Sequence, residues 1–270
     1  YLDFTTSYHD EDDYITLLNL AQNLYYLYKL TTKEKFTDEI HTYAAQFLGS
    51  IFDRLGWDSR KNEKHTDSLL RSFVITALGK LGDKEILSEA NKRFNKFLKN
   101  KNSLAADLQE PVFVLAAWQG DKKTYNRLLS LYRKSTLQEE KIRFLMAMCN
   151  FKQKNLLLKT LALSLTPEVR SQNIRAPIMG VSANIYGKDV LWPWLKNHWK
   201  ELVRKFGVGN PLANRIVASV GGVIDDKQER DVRNFFKRNP LPGTERVIEQ
   251  TLERVRIRSK FLRRIKAEFG

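Results

Sequence analysis

Metal, nucleophilic and phosphate chemistry each need particular residues at particular spacings, and this 270-residue chain offers few of them. Its four histidines are His9, His41, His65 and His198. No two stand four residues apart with a glutamate between them, the arrangement that sets two imidazoles on one helix face around zinc. His9 beside Asp10, Glu11, Asp12 and Asp13 could attract a cation. Acids at a helix start also complement the helix dipole, and that solvated reading is the favoured one. Cys149, the single cysteine, lies among Phe144, Leu145, Met146 and Met148 and reads as a packed thiol rather than a nucleophile. No glycine-rich phosphate loop and no Gly-x-Ser-x-Gly elbow occur. Trp192, Trp194 and Trp199 suggest a binding stack, but their helical spacing favours a place in the core. Taken alone, these residues make a scaffold without a catalytic centre.

The elements that would carry them are helices. Residues 69–81 place Leu70, Phe73, Val74, Ala77, Leu78 and Leu81 at offsets of three and four, one stripe of an amphipathic helix. Gly82 should stop that helix and Asp83 cap the next, which buries Ile86, Leu87, Ala90, Phe94 and Leu98. Gly120-Asp121 repeats the device, with Tyr125, Leu128, Leu129 and Tyr132 to follow. Helix-turn-helix units recurring at roughly 35–45 residues point to an α-solenoid, against the alternative of an irregular helical bundle. Pro111 and Pro193 are expected in first turns, where a missing amide hydrogen does no harm, and Thr166-Pro167-Glu168 is expected to open a helix. Asn239-Pro240-Leu241-Pro242-Gly243 is the clearest loop, before a last, basic helix carrying Val247, Ile248, Leu252, Val255, Ile257, Phe261 and Leu262. No linker marks a boundary, so residues 1–270 are expected to be one domain.

Composition bounds the partners. Hydrophobic residues make up 42% of the chain and aromatics 11%, too many for a disordered tail. Net charge is +15, with residues 1–30 acidic and residues 225–270 holding thirteen bases against eight acids. Such a basic half could bind nucleic acid or an anionic membrane. The bases are spread at helical spacing among acids, so solvated helix faces are the favoured reading. No apolar run approaches the ~18 residues that span a bilayer, and one core-placed cysteine fits a reducing cytosol. The sequence starts Tyr1-Leu2-Asp3-Phe4, without Met, and is expected to be a piece of something longer.

Several segments, in order, resemble one family. They are Leu55-Gly56-Trp57-Asp58 with His65 and Leu69-Leu70-Arg71-Ser72; Ala106 to Phe113 with Tyr125 to Leu129 and Tyr132; Glu140-Lys141 with Arg143 to Leu145; Trp192 to Trp199 through Phe206-Gly207; Asn214-Arg215-Ile216-Val217; and Phe235-Phe236. Together they are similar to the C-terminal helical domain of the aminopeptidase N-type zinc aminopeptidases, nearest to the cytosolic puromycin-sensitive branch with its tricorn-interacting factors.

The resemblance implies an all-α, right-handed superhelix of HEAT- or armadillo-like hairpins that closes over a separate catalytic domain and encloses a peptide cavity. It implies no cofactor in this chain and zinc in the missing catalytic domain. The implied partners are that domain, a β-sandwich domain and the C-terminal portion of a peptide; membrane is not expected, nucleic acid is disfavoured, and the location is cytoplasmic. Among site residues only Arg215 carries over, as a cavity-facing arginine that could pair with a substrate carboxylate, the alternative being a buried ion pair between repeats. Arg71 matches a second recurrent arginine, favoured as structural. The competing function is a free-standing basic α-solenoid that binds nucleic acid or an acidic protein.

Overall fold

The computed structural model describes residues 5, 8, 11–207 and 211–269. His9 and Asp10, the start of the acidic run, lie outside the described residues. Among those described, regular structure is helical throughout. The α-helices are α1 (Tyr14–Thr31), α2 (Thr37–Leu55), α3 (His65–Leu81), α4 (Lys84–Lys99), α5 (Ala106–Gln119), α6 (Lys122–Lys134) and α7 (Gln138–Met148). They continue with α8 (Lys154–Leu163), α9 (Arg175–Ala183), α10 (Lys188–Phe206), α11 (Leu212–Val220), α12 (Glu229–Arg238) and α13 (Glu245–Phe269).

By packing, the chain falls into two compact units, residues 1–116 and 117–268, with the boundary inside α5 rather than at a linker. In the first unit α1 packs on α2 and α3, α2 on α3, and α3 on α4. In the second α6 pairs with α7, α7 with α8 and α9, and α9 with α10 and α11. Within each unit these pairs join chain neighbours or helices one further on, which is the order of an α-solenoid.

The helix ends follow from local chemistry. Gly82 stands in the left-handed region at φ 103°, and its amide donates to the Leu78 and Gly79 carbonyls. Asp83 and Asp121 accept from the Ile86 and Thr124 amides as N-caps of α4 and α6. Asp13, in the acidic run, caps α1 through Thr16. On α3 the buried set is wider than one stripe, because Arg71, Ile75 and Gly79 join it. That helix packs on three others, so one face does not suffice. On α4 the buried residue near the end is Phe97, and Leu98 is only half-buried.

Three expected helix starts differ. Pro111 and Pro193 lie inside α5 and α10, each beyond the first turn. Neither proline offers an amide hydrogen to the carbonyl four residues earlier, that of Asp107 and of Asp189 respectively. The helices extend back because the residues before each proline, Leu108 and Leu191 among them, are buried. Thr166-Pro167-Glu168 is a turn, not a helix start. The Thr166 hydroxyl donates to the Leu163 carbonyl at 2.8 Å, and Glu168 is held by Arg133 at 2.7 and 2.9 Å.

Polar ties recur between residues one repeat apart. Arg93 reaches Asp58 across 35 residues, and His41 reaches the Leu81 carbonyl across 40. In the second unit Tyr132 donates to the Glu168 carbonyl across 36 residues, Trp192 to Asp231 across 39, and Arg258 to the Gly221 carbonyl across 37. Buried Asn184 gives its amide hydrogens to the carbonyls of Cys149 (2.8 Å) and Phe151 (2.9 Å), while its own oxygen accepts from the Tyr186 amide (3.0 Å). Leucine at 184 would strand all three groups away from water. A loss of about 2–4 kcal/mol in unfolding free energy is expected, read as a lower urea midpoint at unchanged slope.

Candidate functional site

Arg215 lies on α11, whose buried side carries Ala213, Ile216, Val217 and Val220. Its own side chain is exposed, and no ion pair or hydrogen bond holds it among the described residues. Among the described residues it forms no buried ion pair between repeats, and its guanidinium could offer two parallel hydrogen bonds to a carboxylate.

Arg71 is the opposite case. It is 1% exposed, lies on α3, and spends its donors inside the first unit. Its two terminal nitrogens reach the Glu63 carboxylate at 2.7 and 2.5 Å. Its Nε donates to the Gly56 carbonyl at 3.1 Å, and one terminal nitrogen also reaches the Leu55 carbonyl at 3.2 Å. Arg71 thus closes the C-terminus of α2 and pins the loop from Gly56 to Lys64. The same loop presents Trp57 and Asp58 to Arg93, whose guanidinium lies 4.9 Å from the Trp57 ring centroid and pairs with Asp58 at 2.6 and 2.7 Å. Arg93 holds the Asp58 carboxyl below its ordinary range, and Arg71 does the same to Glu63.

The tryptophans are core. Trp192, Trp194 and Trp199 are at most 5% exposed. Trp192 meets Phe235 edge-on at 5.2 Å, Trp199 meets Phe236 edge-on at 5.3 Å, and Phe235 and Phe236 lie 5.2 Å apart. Cys149 is packed with its thiol on the Leu145 carbonyl.

The histidines are dispersed. His41 Nε2 must donate at 2.7 Å to the Leu81 carbonyl, which can only accept. His198 stacks on Trp194 at 4.9 Å and faces Glu201 at 3.5 Å, and His65 sits exposed at the start of α3. Among the described residues no group of three or more His, Cys, Asp or Glu side chains could hold a metal ion. The described histidines therefore do not fit a zinc centre.

Two cations escaped the sequence reading. Lys29, at the end of α1, is half-buried with its ammonium 5.1 Å from the Tyr25 ring centroid, and burial lowers its pKa. Arg175, the first residue of α9, is half-buried and has no ion pair or hydrogen bond among the described residues. Each looks like an ordinary surface base in sequence, and only the folded state shows its partial burial. The basic end of the chain behaves otherwise. Arg233 is held between Glu229 and Glu249, Arg263 pairs with Asp226, and Arg258 donates to the Gly221 and Ile224 carbonyls. On α13, Ile257 and Phe261 stay exposed. No helix among the described residues is long and apolar enough to cross a membrane.

Comparison with known proteins adds the context. The family described as ERAP1-like C-terminal domain matches residues 1–257. Aminopeptidase M1 of Arabidopsis thaliana is 31% identical over 276 residues, covering 99% of this chain and 31% of that protein. Aminopeptidase M1-B of Oryza sativa subsp. japonica is 28% identical, covering 97% of this chain and 30% of that protein. Glutamyl aminopeptidase of Sus scrofa is 29% identical, covering 94% of this chain and 27% of that protein. The chain therefore spans under a third of the length of these relatives.

Proposed function

The chain belongs to the ERAP1-like C-terminal domain family of M1 aminopeptidases, and from that premise we propose that it encloses the peptide cavity of a longer enzyme that removes N-terminal residues from peptides. The 270 residues act as one domain in that enzyme and carry no catalytic centre. Zinc belongs to the parent's catalytic domain, which together with a β-sandwich domain is this chain's partner. Arg215 pairs with a carboxylate in the C-terminal portion of the substrate, and the enzyme works in the cytoplasm.

The observation that carries this reading is the coverage: relatives named as aminopeptidases match nearly the whole chain, while the chain spans about 30% of each of them. The histidine placement fits the same reading, since His41, His65 and His198 are committed to separate local contacts or left exposed apart from one another.

The test is direct. The purified chain is assayed for bound zinc and for hydrolysis of an aminoacyl fluorogenic substrate, alone and co-expressed with the remainder of its parent. Turnover only with the remainder is expected. Stoichiometric zinc and turnover by the 270 residues alone would overturn the proposal.

A further inference from the structure

Two neighbouring helices of the second unit carry bases and no acid. α6 holds Lys122, Lys123, Arg127, Arg133 and Lys134, and α8 holds Lys154 and Lys159. Every other described helix with more than one base also carries a carboxylate. The two helices run side by side in the same direction. At their starts the Gln153 side chain donates to the Gly120 carbonyl at 2.9 Å, and the Tyr125 and Phe151 rings lie 5.5 Å apart. At their ends Tyr132 and Arg133 both hold Glu168. Both helices pack on α7. They bury Tyr125, Leu128 and Tyr132 on α6 and Leu157, Thr160 and Leu161 on α8. Their other sides therefore form one surface.

The bases on this surface are placed against the local electrostatics. Lys122 and Lys123 stand in the first turn of α6, at the positive end of the helix dipole, and Lys154 does the same on α8. The Asp121 carboxylate is spent on the Thr124 amide and hydroxyl. Lys123 and Arg127 are like-charged neighbours at a spacing of four, which costs an isolated helix stability. Carboxylates from beyond these helices reach Arg133, from Glu168, and Lys154, from Asp189. Lys122, Lys123, Arg127, Lys134 and Lys159 hold none among the described residues. An open groove of about 580 Å³ runs along the first turns of α6, lined by Asp121, Lys122, Lys123, Asn126, Arg127 and Ser130. An anion arriving there relieves the repulsion as well as gaining its own contacts.

We propose that the α6–α8 face docks an acidic segment of a partner protein. Half-buried Arg127 offers a fork that matches a carboxylate, and Asn126 and Ser130 offer hydrogen bonds to a peptide backbone. Leu158, 42% exposed beside Lys159, takes an apolar side chain of the same segment. Neither helix exposes an aromatic ring on which a nucleobase could stack, and one leucine is too little to enter a membrane. The face is separate from Arg215: α7, α9 and α11 follow one another in one layer, and α8 and α10 in the other. It therefore adds a partner to the chain and does not depend on the enclosing role.

The experiment titrates the 270-residue chain into labelled probes and reads anisotropy. The probes are a peptide of glutamates interspersed with leucines, the same peptide with glutamine for glutamate, and a single-stranded oligonucleotide. The glutamate peptide is expected to bind roughly tenfold tighter than the glutamine peptide at low salt, and tighter than the oligonucleotide. Lys123→Gln combined with Arg127→Gln is expected to weaken it about tenfold, and Leu158→Ser about threefold. Lys96→Gln combined with Lys99→Gln removes the same charge from α4 and is expected to change it less than about twofold. Unchanged melting temperatures establish that the variants fold. Equal binding of the two peptides, or equal losses in the two double variants, overturns the proposal. Tighter binding of the oligonucleotide, weakened by the α6 substitutions, assigns the face to a phosphate backbone and overturns the protein partner.

Discussion

Arg71→Met is expected to lower the unfolding free energy by about 3–5 kcal/mol, because it leaves Glu63 and two carbonyls buried without their donor. Arg71 is 1% exposed, and the Glu63 side chain is 10% exposed, so water can replace little of what is lost. The damage should spread from the missing side chain to the loop it holds, loosening Trp57 and Asp58 and thereby Arg93. Pairing Arg71→Met with Glu63→Leu removes the orphaned carboxylate, so the double variant should lose less than the arginine variant alone. Urea titrations of the three proteins decide it, and a loss below about 1 kcal/mol in Arg71→Met would refute the account. The pair also sets a pH dependence. The folded-state pKa of Glu63 is depressed, chiefly by its hydrogen bonds from Arg71. Its contribution is complete above the ordinary glutamate value of about 4.3 and is lost as pH falls through the folded-state value. Arg71→Met should flatten that acid limb.

Gly187→Ala is expected to cost about 3–4 kcal/mol, at the high end for overpacking. A Cβ there would lie 1.9 Å from the Val181 carbonyl oxygen and 2.9 Å from its carbon. Both are backbone atoms, so no rotamer change relieves the clash. Gly187 also joins Asn184 to α10, its amide donating to the Asn184 carbonyl at 2.9 Å. Displacing it therefore disturbs the asparagine that holds the Cys149 and Phe151 carbonyls. Gly49 on α2 is the control, because a Cβ there meets nothing within 4 Å. Thermal melts of the two alanine variants should move apart, with Gly49→Ala unchanged or higher. A Gly187→Ala melt within about 2 °C of the parent would count against the clash.

The helices were legible where chemistry is local. Asp83 and Asp121 cap because an aspartate oxygen satisfies amides three residues on, and Gly82 ends α3 because it takes a positive φ freely. The prolines misled for a related reason. Pro111 and Pro193 read as first-turn residues on local preference, yet burial of Leu108 and Leu191 draws each helix back past them. The same tertiary term puts Phe97 rather than Leu98 in the core. The family resemblance rested mostly on residues that hold neighbouring elements together: the Arg71 loop, Tyr132 on Glu168, and the aromatic group around Trp192 and Phe236. The candidate site was only half visible. Arg215 stood in a recognisable Asn-Arg-Ile-Val segment, whereas Lys29 looks like any surface base until the fold buries it against Tyr25.

The polar ties at separations of about one repeat have a mechanical meaning. A bond such as Trp192 to Asp231 or Asn184 to Cys149 couples a hairpin to its immediate neighbour and to nothing beyond it. A pull along the chain is then resisted locally, one fastening after another, as in a zip rather than a weld. Strain introduced at a single tie stays within about a repeat of where it was made.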